Sequence, residues 1–207
     1  IPISLSSFFA NFKNLFINKI QSELSEDKEN YCVIGYSCRS LFHTTMKYFK
    51  KNDITIVTTP IHHTSFRNII EKYIKPENIH IIEMNDNYNE IKSLPSINKC
   101  DLLVVSHLFG QDLKFNKSLL NEFKRKHNCL FLEDRVQGGS IKDKFSSDLF
   151  DLSYYSCGMD KRPVALGGGF MFIRKSCFLS EKINKFIIQE INSYNEETIW
   201  ERFIFLI

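Results

Sequence analysis

The chain has 207 residues, 43% of them hydrophobic and 25% charged, with a net charge of +3 at pH 7. That length builds one good core, or one domain with an appendage, and the composition is ordinary for a soluble globular protein. Lysine and glutamate are interspersed with no concentrated basic block, which argues against nucleic-acid binding, and no apolar run approaches a membrane span.

The first residue is Ile1 rather than Met, which suggests a fragment or a processed product. Phe9, Phe12, Phe16 and Ile20 recur at helical spacing and predict an amphipathic helix over 5–22 that packs on a core. A membrane-surface helix is the alternative. The basic start and small-residue cleavage site of a secretory signal are both missing. Tyr31-Cys32-Val33-Ile34-Gly35 reads as a buried strand, and a helix over 39–50 follows. Ile54-Thr55-Ile56-Val57-Thr58 is a second strand, stopped by Pro60. A helix over 65–74 comes next, with Pro76 beyond its end.

A short strand over 80–83 precedes a strong apolar one over 101–106. The helix predicted over 117–126 carries Leu119, Leu120 and Phe123 on one side. Strands over 129–133, 152–156 and 170–173 follow, and a long helix over 177–203 closes the chain. Strands separated by helices predict a single α/β domain with its core over 31–175, a three-layer sandwich around a mostly parallel sheet. The apolar end, Phe203 to Ile207, requires a covering surface, which suggests truncation or an interface. The six cysteines include no Cys-x-x-Cys pair, so zinc is not expected, and their scatter through strands suggests buried thiols in a reducing compartment such as the cytoplasm.

In parallel sheets ligands gather beyond the carboxyl ends of the strands. Ser106-His107, Glu133-Asp134 and Ser156 fall there. Phe131-Leu132-Glu133-Asp134-Arg135-Val136-Gln137 puts an acid at the end of a buried strand, where an unpaired charge is costly. One strand later comes Lys161, then Gly167-Gly168-Gly169. A carboxylate, an amine and a tight turn in that order suit pyridoxal phosphate (PLP). That cofactor needs a lysine for its aldehyde, an acid to keep its ring nitrogen protonated, donors for its phosphate and a flat group over its ring.

Each residue also has a plainer reading. Asp134 fits a helix N-cap or an arginine salt bridge, Gln137 a turn, and Lys161 a solvated loop. Ser156 could supply a phosphate hydroxyl. Ser37-Cys38-Arg39 opens a helix directly after a strand, so it offers either an anion site or a simple serine cap. His62 and His63 follow the second strand, and either imidazole could stack on a ring or stay solvated. Glu133 and Asp134 are adjacent in a strand, so their side chains diverge and are not expected to share one atom. The triple glycine lacks a Gly-Lys-Ser/Thr ending and precedes a strand, which argues against a nucleotide-binding P-loop.

Together these segments resemble the DegT/StrS family of PLP-dependent sugar aminotransferases, over about 31–174. Tyr36-Ser37-Cys38-Arg39-Ser40-Leu41 is similar to that family's phosphate turn. Pro60…His63…Asn68-Ile69-Ile70 resembles its ring-stacking segment, which favours His63 over His62. Ser106-His107-Leu108-Phe109-Gly110, Glu133-Asp134-Arg135-Val136-Gln137 and Phe150-Asp151…Tyr155-Ser156…Lys161 with Gly167–Gly169 are similar to three further motifs. The resemblance implies a fold-type I PLP-transferase large domain acting as a homodimer. It implies that Asp134 meets the ring nitrogen, Gln137 the ring hydroxyl, and Ser37, Cys38, Arg39 and Ser156 the phosphate. Lys161 would bond the aldehyde and act as general base and acid. An amino donor, usually glutamate, and a keto sugar, often nucleotide-linked and destined for polysaccharide, are the implied substrates.

The chain departs from the pattern in three places. Ser37-Cys38 replaces glycine-threonine, Arg162-Pro163 follows the lysine, and a C-terminal small domain is not recognisable. The alternatives are a non-catalytic binding or scaffold protein of aminotransferase descent, or another fold-type I activity such as a lyase or decarboxylase. Lys161 argues against the related dehydratases, which carry histidine there.

Overall fold

The computed structural model describes residues 28–35, 37–50, 53–108, 110–138, 143–156 and 168–204, the last eleven by backbone only. Lys161, Gly167 and the helix expected over 5–22 lie outside the described residues.

The strands are β1 (Asn30–Gly35), β2 (Ile56–Thr58), β3 (Ile79–Ile81), β4 (Glu83–Met84), β5 (Ile91–Ser93), β6 (Leu102–Ser106), β7 (Leu130–Asp134), β8 (Leu152–Ser156) and β9 (Gly169–Arg174). The helices are α1 (Cys38–Phe49), α2 (Thr64–Tyr73), α3 (Lys117–His127) and α4 (Ser180–Ile204), with a short 3-10 turn over Pro76–Asn78. Seven strands form one sheet in the order β1-β9-β8-β7-β6-β2-β3, and β4 and β5 pair as a separate ladder. The β2–β3, β2–β6, β6–β7 and β7–β8 pairs are parallel. Strand β9 pairs antiparallel with both β1 and β8. It alone runs against the other six, so β1, β2, β6, β7 and β8 all end on one edge, where β9 begins.

The sheet is covered on both faces, as the uninterrupted apolar runs require. Leu102, Val104, Leu130, Leu132, Leu152 and Tyr154 pack under α1, α2 and α4. Leu103, Val105 and Phe131 pack with Leu120 and Phe123 of α3 on the other face. The three-layer α/β sandwich read from the sequence is therefore the observed fold.

Helix α1 shows why the core holds. Cys38, Leu41, Phe42, Thr45, Met46 and Phe49 are its buried residues. They recur every three to four positions and form one stripe. Phe42 stacks on Phe66 of α2 with ring centroids 4.2 Å apart and meets Tyr154 edge-on at 5.7 Å. The helix opens with a capping box: Ser37 Oγ accepts from Ser40 N at 3.0 Å, and Ser37 N donates to Ser40 Oγ at 3.2 Å.

The α1 N-terminus sits directly on the start of β9. A Cβ added at Gly169 would collide with Cys38 N and lie 2.7 Å from both Cys38 Cα and Ser37 C. These are backbone atoms anchored in a helix, so they cannot step aside cheaply. Gly169→Ala is expected to cost about 1–3 kcal/mol of stability by overpacking. Urea unfolding measures it. Gly110→Ala is the control, because nothing lies within 4 Å of its added Cβ and only its positive φ of 75° is penalised. A Gly169→Ala protein as stable as the parent would contradict the close approach.

Candidate functional site

The shared edge gathers the sequence candidates. Residues alternate across a strand. Leu130 and Leu132 belong to the α1 face, so Asp134 continues that face and Glu133 the opposite one. By the same alternation Thr58, Ser106 and Ser156 lie on the α1 face with Asp134. The N-termini of α1 and α2 open on the same edge.

Asp134 ends the middle strand of the sheet and is only 4% exposed. Its Oδ1 accepts from Val136 N at 3.0 Å and its Oδ2 accepts from Ser106 Oγ at 3.2 Å. Among the described residues it makes no ion pair, and a turn rather than a helix follows it. The N-cap reading therefore does not describe it. Burial pushes its carboxyl up to about 6, against the pull of those two donors and of the nearby His107 and His63.

Ser106 links Asp134 to a histidine. Its Oγ lies 2.7 Å from His62 Nδ1, while His62 Nε2 lies 3.1 Å from Thr59 Oγ1 and also contacts Thr58 Oγ1. Burial pushes His62 down to about 4, so it is neutral at pH 7. His63, the favoured ring-stacking residue, is exposed and caps α2: its Nδ1 accepts from Ser65 N at 3.3 Å. It stands close enough to Asp134 to lower the carboxyl's proton affinity. Sequence reasoning passed over His62 and gave Ser106 no role. The available signal was the run Thr58-Thr59-Pro60-Ile61-His62, which leaves a buried strand rich in hydroxyls.

Glu133 does separate work. It is fully buried and bonded to His107 Nε2 at 3.0 Å and Ser146 N at 2.9 Å. His107 Nδ1 accepts from Leu113 N at 2.9 Å, so the ring proton sits on Nε2 and is donated to Glu133. The adjacent acids diverge as expected, and Glu133 ties two loops to the sheet.

Ser156 pairs with Gly169, and Gly168 bridges to Ser37. The start of β9 thus holds Ser156 beside the opening turn of α1, Ser37-Cys38-Arg39. The Cys38 side chain is buried in the core, and the cap engages the Ser37 hydroxyl together with the Ser37 and Ser40 N–H groups. Arg39 is exposed at the same turn. Gln137 is half-buried in the turn after Asp134, and its carbonyl accepts from Gly110 N at 2.7 Å. A cavity of about 200 Å³ lies farther along, lined by Asn87, Tyr88, Asn89, Leu108, Gln111, Asp112 and Leu113. Among the described residues no cluster of His, Cys, Asp and Glu suits a metal, the described cysteines are free and buried, and no helix is long and apolar enough to cross a membrane.

No family model matches the chain, and no curated protein matches it in sequence. Solved structures match its fold. An aminotransferase from Psychrobacter cryohalolentis is 14% identical with a TM-score of 0.62, over 82% of this chain and 43% of its own length. A candidate sugar aminotransferase from Streptococcus pneumoniae, Spr1654, in its PLP form, is 11% identical with a TM-score of 0.60, over 82% and 48%. The Helicobacter pylori protein PseC, an aminotransferase of pseudaminic acid biosynthesis, is 16% identical with a TM-score of 0.58, over 82% and 51%. Chains of other description match as well, among them a NifS-like protein from Rickettsia africae. At these identities the likeness establishes the fold: the chain has the α/β architecture of the fold-type I PLP transferases. It spans about half the length of the structures it matches.

Asp134 has a measurable cost without a cationic partner. Its folded pKa lies about two pH units above the ordinary carboxyl, worth about 3 kcal/mol of lost stability at neutral pH. That cost is absent below about pH 4 and is fully imposed once the pH has risen through 6. His62 acts oppositely: its contribution is present above 6.5 and lost as the pH falls through 4. An amide in place of the Asp134 carboxyl keeps both partners, accepting from Val136 N and donating to Ser106 Oγ. Asp134→Asn is therefore expected to stabilise the ligand-free protein by about 1–3 kcal/mol at pH 8. The gain should vanish near pH 4. Urea midpoints against pH check this, and a variant less stable than wild type at pH 8 contradicts it.

Proposed function

We propose that this chain acts as a PLP-dependent aminotransferase that passes an amino group from a donor such as glutamate to a keto sugar, often nucleotide-linked. The observation that carries the reading is Asp134, a buried acid without an ion pair among the described residues at the centre of the carboxyl edge. A protonated ring nitrogen is the partner that relieves it. When bound, PLP supplies an aldehyde for the amine and a ring that stores the electron pair released when a Cα–H bond breaks.

In this reading Asp134 holds the proton on the ring nitrogen, and Gln137 donates to the ring hydroxyl. Ser156 and the Ser37-Cys38-Arg39 turn receive the phosphate, since β9 packs them side by side and a helix N-terminus favours an anion. His63 covers one ring face from the start of α2. Lys161 would hold the aldehyde and, once an incoming amine has displaced it, its freed Nζ would serve as general base and acid. The amides and carboxylate of Asn87, Asn89, Gln111 and Asp112 suit a hydroxyl-rich acceptor in their cavity. The fold-mate described as a sugar aminotransferase, the fold-mate PseC described as an aminotransferase of pseudaminic acid biosynthesis, and the sequence resemblance to the DegT/StrS family support this substrate class. A cytoplasmic homodimer is the matching assembly.

One observation favours a second reading, a binding or scaffold protein without turnover. The hydroxyl usual at the Cys38 position is replaced by a thiol that packs in the core. Added PLP is expected to give the wild type a visible absorption band that Lys161→Ala lacks, and glutamate is expected to bleach it. A folded wild type with no band refutes the PLP reading. A band that glutamate leaves unchanged favours the binding protein.

A further inference from the structure

We propose that His62 is a positioning residue for Asp134, acting through Ser106, and that the three side chains form a reversible proton wire ending on the carboxylate. The geometry supplies the path: His62 Nδ1 to Ser106 Oγ at 2.7 Å, then Ser106 Oγ to Asp134 Oδ2 at 3.2 Å. Nothing in the PLP reading requires it. Its consequence for catalysis rests on that reading, but its existence does not.

Hydrogen-bond direction follows from counting protons. An ionised carboxylate only accepts. Ser106 must then donate its single hydroxyl proton to Asp134, which obliges His62 Nδ1–H to donate to Ser106. His62 Nε2 is left as an acceptor, served by Thr59 Oγ1 at 3.1 Å when that hydroxyl turns from its longer bond to Ile61 O at 3.4 Å, while Thr58 Oγ1 donates to Val104 O at 3.1 Å. This neutral tautomer of His62 completes the path from Thr59 to Asp134 and leaves the Thr58 Oγ1 contact to Nε2 without a proton.

Protonation of Asp134 reverses the chain. Val136 N–H occupies Oδ1, so the proton goes to Oδ2, the oxygen facing Ser106. In the balanced form one proton enters at His62 Nε2. Nδ1 passes its proton to Ser106, and Ser106 passes its own to Asp134. The net change is one proton gained by Asp134, with His62 neutral before and after but in the other tautomer.

Few other groups among the described residues face the wire. Arg67 of α2 acts on His62, while His107 beyond β6, His63 at the start of α2 and Tyr154 of β8 face Asp134. Tyr154 Oη donates to Thr45 Oγ1 at 2.6 Å and does not compete for the carboxylate. His107 is committed to Glu133 and Leu113 on the opposite face.

The test is made on ligand-free protein with ¹⁵N-labelled histidine, the His62 signal being assigned from its displacement in Ser106→Ala. NMR is expected to show the Nδ1–H tautomer at about pH 8 and the Nε2–H tautomer at about pH 5, with a midpoint that coincides with the Asp134 titration. Ser106→Ala should uncouple the two and raise the proton affinity of Asp134 several-fold, and Ser106→Thr should restore both. A His62 tautomer that stays fixed in the wild type while Asp134 titrates overturns the proposal. So does an Asp134 midpoint unmoved in a folded Ser106→Ala protein. The visible band with PLP is read separately: its absence beside an intact tautomer exchange refutes the cofactor and leaves the wire standing.

Discussion

A carboxylate held almost out of water at the end of the central strand is the constraint around which the edge of this molecule is arranged. Asp134 has a hydroxyl and an amide as hydrogen-bond partners but no cation paired with it among the described residues. Ordinary stability would favour an apolar or amide side chain there. A sheet that keeps such an acid at its carboxyl edge carries a local cost, and such costs collect where ligands bind. The neighbouring acid makes the contrast plain. Glu133 is just as buried, yet His107 and Ser146 saturate it, and it serves as a tie between loops.

The second constraint is the reversal at β9. Because that strand alone runs backward, its first residues arrive at the edge where the others end. Gly169 allows α1 to seat its N-terminus against them, with Ser156 on the far side. The opening turn of α1 and the buried acid are thereby placed on one face of one edge. No single loop achieves this. It needs β1, β7, β8 and β9 in their observed order, so fold and site are the same arrangement seen at two scales.

Much of this was legible in the chain. Val104, Val105, Leu130, Phe131 and Leu132 form runs buried on both faces, which only the inner strands of a covered sheet show, and β8 falls on its predicted span. The hydrophobic stripe of α1 marks its inward face. Other features left no readable trace. The β4–β5 ladder pairs two strands of two and three residues, too short for alternation to register. Partnering of β9 with β1 joins segments more than a hundred residues apart, and side-chain pattern does not carry that information. For the site, Asp134 was legible because acid at the end of an apolar strand is anomalous. Choosing between His62 and His63 was not, since adjacent residues differ only in which way the turn after Pro60 directs them. The structure turns His62 inward to Ser106 and leaves His63 as a cap.

The central claim is that Asp134 exists to hold a protonated ring nitrogen. The most direct measurement is the ¹⁵N resonance of ring-labelled PLP bound to the protein at about pH 8. The account predicts a protonated nitrogen in the wild type and an unprotonated one in Asp134→Asn. An unprotonated nitrogen in the wild type, or an identical signal in the two proteins, would contradict it.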